Sequence, residues 1–146
     1  MATYSFLDVT ASLIGPTGVI DLGQGSANSE EGITQTMGGN KNTMTIGADG
    51  EVMHSLHADK SGTITVTLLK TSPVNKKLSL AYNAQSQSSA TWGNNVIVIR
   101  NTASGDISTA RSCAFQKQPD FNNAKEGGTV SWVFDCGKID QLLGEF

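Results

Sequence analysis

Charge is scarce in this chain. Asp, Glu, Lys and Arg make up 16% of its 146 residues, against about 25% in a typical soluble domain. That deficit, beside abundant Ser, Thr, Asn and Gln, implies a surface meant to lie against a partner. What charge there is sums to −3, with ten Lys and Arg against 13 Asp and Glu. The nearest thing to a basic cluster is Lys76-Lys77, which excludes a protein that grips nucleic acid by its phosphates. Long apolar runs are missing as well. None approaches the roughly 18 residues needed to span a bilayer, so the chain is not expected to insert into a membrane by itself. Its opening, "MATYSFLDVTASLIG", lacks the basic leader and apolar block of a signal peptide.

Cysteine is nearly absent. Cys113 and Cys136 are too few for a disulfide scaffold, and without an export signal the expected compartment is reducing. Two packed free thiols are the expectation. Both fall in strand-like segments, so a bridge stays open. Catalytic groups are just as thin. His54 and His57 are three apart, so a regular strand turns them to opposite sides, and no Cys or Asp cluster completes a tetrahedral metal set. Glu30-Glu31, the one adjacent acidic pair, diverges in a loop or strand and makes a poor acid–base couple. Cys113 has no local histidine, and no serine sits in a Gly-x-Ser-x-Gly elbow. "GQGSANSEEG" lacks the lysine and following helix of a phosphate loop. Nothing here predicts an enzyme, a cofactor or a metal.

What is present is β-pattern. "TITVTLLK" (63–70) alternates Thr63, Thr65 and Thr67 with Ile64, Val66 and Leu68, one face apolar and the other polar. Strands are also expected in two short runs over 4–15, then at 19–23, 33–37, 95–101, 106–117 and 129–140, with turns at Gly15-Pro16-Thr17-Gly18 and a polar loop over 23–32. "NVIVIRN" (95–101), apolar almost throughout, suits a strand covered on both sides. In 129–140, Val130, Trp132 and Phe134 alternate with Ser131, Val133 and Asp135. One helix is predicted over about 73–89, opened by Ser72-Pro73, with Val74, Leu78, Ala81, Tyr82 and Gln85 forming a single stripe. At 15.3 kDa the chain is expected to be one domain, 1–146, with room for a core and none for an appended module. The predicted class is mostly β: a sandwich or small barrel with one flanking helix and a long protruding hairpin.

That hairpin is "TMTIGADGEVMHSLHA" (43–58). Asp49-Gly50 is the dipeptide favoured by two-residue β-turns, and the arms are greasy: Met44 and Ile46 lead in, Val52, Met53 and Leu56 lead out. Apolar side chains on both faces of a projecting ribbon need covering on both.

"EEGITQTM", "NKNTMTIGADGEVMHSLHADKSGTITVTLLKTSPVN" and "GGTVSWVFDCGKIDQLLG" closely resemble a family of bacteriophage tail tube proteins from phages with contractile tails, over about Tyr4 to Gly144. The resemblance implies a β-sandwich or barrel with a flanking helix, shared with the tube protein of type VI secretion. It implies a structural virion subunit, assembled in the host bacterial cytoplasm, that forms hexameric rings. These stack into a tube around a tape-measure protein, inside a tail sheath and between baseplate and tail terminator proteins, and the genome later passes through as DNA. The hairpin is then expected to reach an adjacent subunit, with Met44, Ile46, Val52 and Met53 as anchors around the Asp49-Gly50 turn; the competing expectation is that these residues complete the monomer's own core. A bore that lets phosphates pass should be neutral or acidic, with Asp8, Asp21, Glu30, Glu31 and Asp106 as candidate carboxylates. Other readings are another tail or baseplate ring component of the same fold, an enzyme whose site is assembled from distant residues, and a small-ligand β-barrel. That barrel needs convergent aromatics, which Tyr4, Phe6, Tyr82, Phe115, Phe121, Phe134 and the two tryptophans do not promise.

Overall fold

A computed structural model describes residues 2–23, 25 and 28–146. Among the described residues the chain runs through a 3-10 turn, Phe6–Asp8, and then β1 (Val9–Gly15), β2 (Gly18–Asp21), β3 (Asn28–Met37), β4 (Asn42–Ile46), β5 (Val52–Leu56) and β6 (Gly62–Leu69). The helix α1 (Val74–Gln85) follows, then β7 (Asn95–Asn101), β8 (Ile107–Phe115) and β9 (Thr129–Leu142). Seven strands pair antiparallel in the order β2-β1-β7-β8-β9-β6-β3, while β4 and β5 form a separate two-stranded sheet. The protein is mostly β, as its alternation predicts.

The large sheet is bent, not flat. The side chain of Gln35 on β3 hydrogen bonds Gln141 on β9 at 2.7 Å, and Ser108 on β8 donates to it. In the strand order β3 is three places from β8, or about 14 Å across a flat sheet. Only a sheet folded over on itself brings them together. The bend has a local cause. Between Asn95↔Cys113 and Ile97↔Ala110, β8 carries one more residue than β7. On the other side, Cys136 pairs Gly62 while the Ile139 N–H reaches the Lys60 carbonyl, so β9 also carries one extra. The two insertions lie opposite each other, at Ser112 (φ 55°) and Gly137, and the β8–β9 ladder stays in register through them. Such bulges sharpen bend and twist. They also swap faces: Cys113 and Ala110 are three apart, as are Cys136 and Ile139, yet all four are buried.

Inside the bend, Ile64, Val66 and Leu68 from β6, Leu13 from β1 and Ile97 from β7 pack against Leu78 of α1. Phe115 meets Tyr82, Trp92, Trp132 and Phe134 at centroid separations of 4.9–6.4 Å. Several of the aromatics that look scattered in sequence therefore converge, as core packing rather than as a cavity wall. The helix buries Val74, Leu78, Ala81 and Gln85, four members of the predicted stripe. It ends at Gln85, short of 89, because local hydroxyls compete for the next backbone groups: Ser88 Oγ accepts from Ala90 N, and Thr91 Oγ1 donates to the Gln85 carbonyl. Gln85 is itself buried and exchanges two amide bonds with buried Asn95, at 2.7 and 2.9 Å. Asn95 also donates to the Cys113 carbonyl at 3.1 Å. Gly15 is needed beside them, since a Cβ there would collide with Asn95 Oδ1.

Three expectations are corrected. The run at 4–8 is not a strand: the Ser5 hydroxyl accepts from Leu7 N and starts the 3-10 turn. The polar loop expected over 23–32 gives way to β3 at Asn28, which pairs Leu68 before its register shifts and resumes at Ile33↔Val66. Strand β7 lies inside the sheet, but Val96 and Val98 on its second face are only half-buried and Arg100 is exposed.

Replacing Gln85 by Ala strands the Asn95 amide in the core, a loss of about 1–3 kcal/mol. A urea melt should show a lower midpoint with an unchanged slope.

Candidate functional site: the exposed hairpin

The β4–β5 hairpin is held by its own ladder, Asn42↔Leu56 through Ile46↔Val52. The ladder continues outward through Gly47 N to the Glu51 carbonyl (2.8 Å) and inward through His57 N to the Lys41 carbonyl (2.9 Å). The loop is thus Ala48-Asp49-Gly50, closed by Gly50 N to the Gly47 carbonyl at 3.0 Å. Gly50 sits at φ +89°, where a side chain would strain the backbone. Asp49 Oδ1 accepts from Glu51 N. The expected two-residue Asp49-Gly50 turn is therefore one residue too short.

That single residue decides the faces. A two-residue loop would pair Ile46 with Met53 and scatter apolar side chains over both sides. The observed register sets Met44 beside His54, Ile46 beside Val52 and Asn42 beside Leu56. Opposed residues share a face, so Met44, Ile46, Val52 and Leu56 form one apolar surface. Met53 lies on the other face, beside Thr45. Leu56 was not among the expected anchors, and its place two residues beyond His54 and four beyond Val52, on their face of the strand, was the signal for it. The four residues are 52–82% exposed. Neither face packs on the chain's own core, contrary to the competing expectation that these residues complete it. Covering what remains exposed of each would contribute about 1–2 kcal/mol.

The histidines serve the hairpin. Asn42 Nδ2 donates to His54 Nδ1 at 3.2 Å, and His57 Nε2 lies 2.7 Å from Thr43 Oγ1. At the hairpin's base Asp59 accepts from the Ser61 hydroxyl and, at 2.8 Å, from Ser61 N, which together hold its carboxyl below the usual range.

A second apolar surface is open at the end of the bent sheet. Here a groove of about 420 Å³ is lined by Tyr4, Phe6, Val9, Ile33, Ile99 and Leu143, with Gln35, Ser108 and Gln141 on its floor and Arg100 and Asp106 beside them. Asp8 and Asp106 come together at this end, since the Asp8 carbonyl accepts from Thr102 N and the Asp106 carbonyl from Asn101 N. The Asp106 carboxylate accepts from Gly144 N. Asp21 lies at the end of β2 and caps Gly23 N at 3.2 Å. The side chains of Glu30 and Glu31 lie outside the described residues.

Cys113 and Cys136 face each other across β8 and β9, free and buried, Sγ to Sγ 3.1 Å. Donating its S–H to Cys136, and burial, push the Cys113 thiol up; accepting that bond draws Cys136 down. Among the described residues no group of three His, Cys, Asp or Glu is placed to hold a metal, and no helix is long and apolar enough to cross a membrane.

A bent antiparallel sheet with one flanking helix and a free hairpin is a fold shared with contractile injection machines. The chain is similar to a chain of the extracellular contractile injection system PVC sheath–tube complex in its extended state, at 12% identity and TM-score 0.58, covering 97% of this chain and 92% of that one. It is similar to a chain of the PVC sheath/tube terminator in its extended state, at 10% identity and TM-score 0.62, covering 97% and 98%. A chain of the anti-feeding prophage tube-terminating cap aligns at 10% identity and TM-score 0.55, covering 99% and 95%. A search of curated proteins finds no match. Residues 1–144 match the bacteriophage PhiTE tail tube protein family, and the chain belongs to that family. It is a structural component of a virus tail, not an enzyme.

Two outcomes follow. Met44→Asp and Ile46→Asp should each change the stability of the unassembled chain by less than about 0.5 kcal/mol, as exposed substitutions do, and denaturant melts will measure it. Iodoacetamide at mildly alkaline pH should leave the native protein unmodified and add to both cysteines in concentrated urea, read by intact mass.

Proposed function

We propose that this protein is the repeating subunit of a phage tail tube. The observation that carries the reading is the apolar face of Met44, Ile46, Val52 and Leu56, uncovered in a chain of the tail tube family. One domain, 1–146, closes into hexameric rings by bringing the β2 edge of one copy beside the β3 edge of the next. Those edges terminate the sheet and would otherwise invite open-ended pairing. Rings stack through the hairpin into a tube that surrounds a tape-measure protein and later conducts the genome. A contractile sheath lies outside, with baseplate and terminator proteins at the two ends, and assembly takes place in the host cytoplasm.

The wall of the bore is neutral to acidic. Thr34↔Thr65 and Thr36↔Thr63 put four threonines side by side on the outer face of β3 and β6, and on β9 Ser131, Val133 and Asp135 continue that face. No Lys or Arg interrupts these positions, so translocating phosphates would find no counterion-release site. Asp8, Asp21, Glu30, Glu31 and Asp106 remain candidates for its carboxylates. A second reading, a terminator ring, draws on the TM-score of 0.62 to a terminator chain against 0.58 to a sheath–tube chain.

Negative-stain electron microscopy of the purified protein should show tubes of uniform diameter. Single rings at every concentration would favour the terminator. A monomer at all concentrations and salts would overturn both. Met44→Asp and Ile46→Asp should abolish stacking while the chain stays folded, because a carboxylate buried without a partner is costly.

A further inference from the structure

We infer that the apolar groove beside β3, β7 and the N-terminal turn is the receptor for the β4–β5 hairpin of a second copy, with Arg100 taking the hairpin's acidic tip. The inference rests on the stacked assembly proposed above and names the surface that the hairpin meets.

Three observations converge on it. Among the described residues the groove and the hairpin face are both uncovered apolar surfaces, and neither lines the other: the groove walls include no hairpin residue, and the hairpin's apolar face stays more than half exposed. In a homo-oligomer each such surface finds its cover on another copy, and a protrusion entering a hollow elsewhere on the same chain is a head-to-tail contact that propagates along an axis. The sizes agree. About 420 Å³ lies within the roughly 300–1,000 Å³ of pockets that enclose their occupants. It has room for the side chains of one hairpin face and none for the whole ribbon.

The chemistry agrees as well. The hairpin's apolar face bears no formal charge: its polar members are Asn42 and His54. The groove floor is likewise neutral, with Gln35, Ser108 and Gln141 already bonded to one another. The charges that remain are complementary. Asp49 and Glu51 flank the hairpin tip, and Arg100 is exposed at the groove. Among the described residues the ion pairs are Lys60–Asp140 and Arg111–Asp140, and neither involves Arg100 or Asp49. Asp106, the other charge at the groove, keeps its negative charge but is half-buried and held by Gly144 N, whereas Arg100 is exposed to what enters.

The test is charge exchange in the full-length protein. Arg100→Glu and Asp49→Arg should each raise the concentration needed for tube formation by about tenfold or more, because like charges then face each other across the contact. Combined in one chain they should restore it to near the wild-type value. Thermal melts establish that all three variants fold. A photo-crosslinking residue at Ile46 should join, in assembled tubes, to segments 4–9, 99–108 or 141–143 of another copy, read by peptide mass. Crosslinks elsewhere in well-formed tubes, a double variant no better than the worse single one, or a groove that still binds the dye ANS within tubes would overturn the groove assignment and leave the tube reading standing. Failure of the wild-type protein to assemble would overturn both.

Discussion

Everything in the body of this protein depends on the bend between β8 and β9. Two strands that each gain a residue at the same level stay in register with each other, and only their outer neighbours register the change. The left-handed backbone at Ser112 costs on the order of 1–2 kcal/mol, and the return is large. By swapping faces at Ser112 and Gly137, the two strands keep Ala110, Ile139, Cys113 and Cys136 inside on both sides of the bend. A single continuous sheet then behaves as two layers. Its far edge, β3, comes over β8 and β9, where Gln35 meets Ser108 and Gln141. The apolar groove is the open end of that fold, so the candidate receptor surface is a direct product of the bend.

The same economy explains why the hairpin stands apart. The core is already closed: Ile64, Val66, Leu68, Leu78, Ile97 and Phe134 have no exposed surface, and the Gln85–Asn95 amide pair seals the junction of helix and sheet. A core packed that tightly has no site for four more large side chains. A two-stranded ribbon in water is marginal alone, and this one is braced by Asn42–His54 and Thr43–His57 rather than by packing. Its apolar face is surplus to the chain's own core, the condition that the stacking contact proposed above requires.

Where local pattern and long-range contacts agree, the architecture was readable in advance. Strand β6, the stripe Val74–Leu78–Ala81–Gln85 and the Trp132/Phe134 alternation all follow their periods, because each lies against one continuous core. The start of β3 did not show, since Asn28-Ser29-Glu30-Glu31 is polar and its pairing partner, β6, lies more than thirty residues on. The convergence of Tyr82, Trp92, Phe115, Trp132 and Phe134 was hidden for the same reason. The hairpin is the instructive case. Its existence and its greasiness were plain, yet Met53 was grouped with Met44, Ile46 and Val52, whose face Leu56 shares and Met53 does not. Counting the turn as Asp49-Gly50 instead of Ala48-Asp49-Gly50 moves the register by one, and in a strand that exchanges the faces. The groove had no local signature at all, because Tyr4, Phe6, Ile33, Ile99 and Leu143 meet only once the sheet has bent.

The scarcity of charge now has a structural sense. A subunit covered on several sides by copies of itself would bury any charge placed there, and a buried charge is tolerable only with a partner. Several of the charges this chain keeps are answered locally. Asp140 holds Lys60 at 3.4 Å and Arg111 at 3.0 Å, Asp106 holds the Gly144 N–H, and Asp59 holds Ser61. The bond from Lys60 keeps the Asp140 carboxyl below the ordinary carboxylate range. Its small, solvent-screened contribution is therefore present above that range and lost as the pH falls through the depressed value. Among the described residues Arg100, exposed beside the apolar groove, and Glu51, beside the hairpin turn, take part in no such ion pair, and on the stacked assembly proposed above charges of this kind are the ones left for another copy to meet.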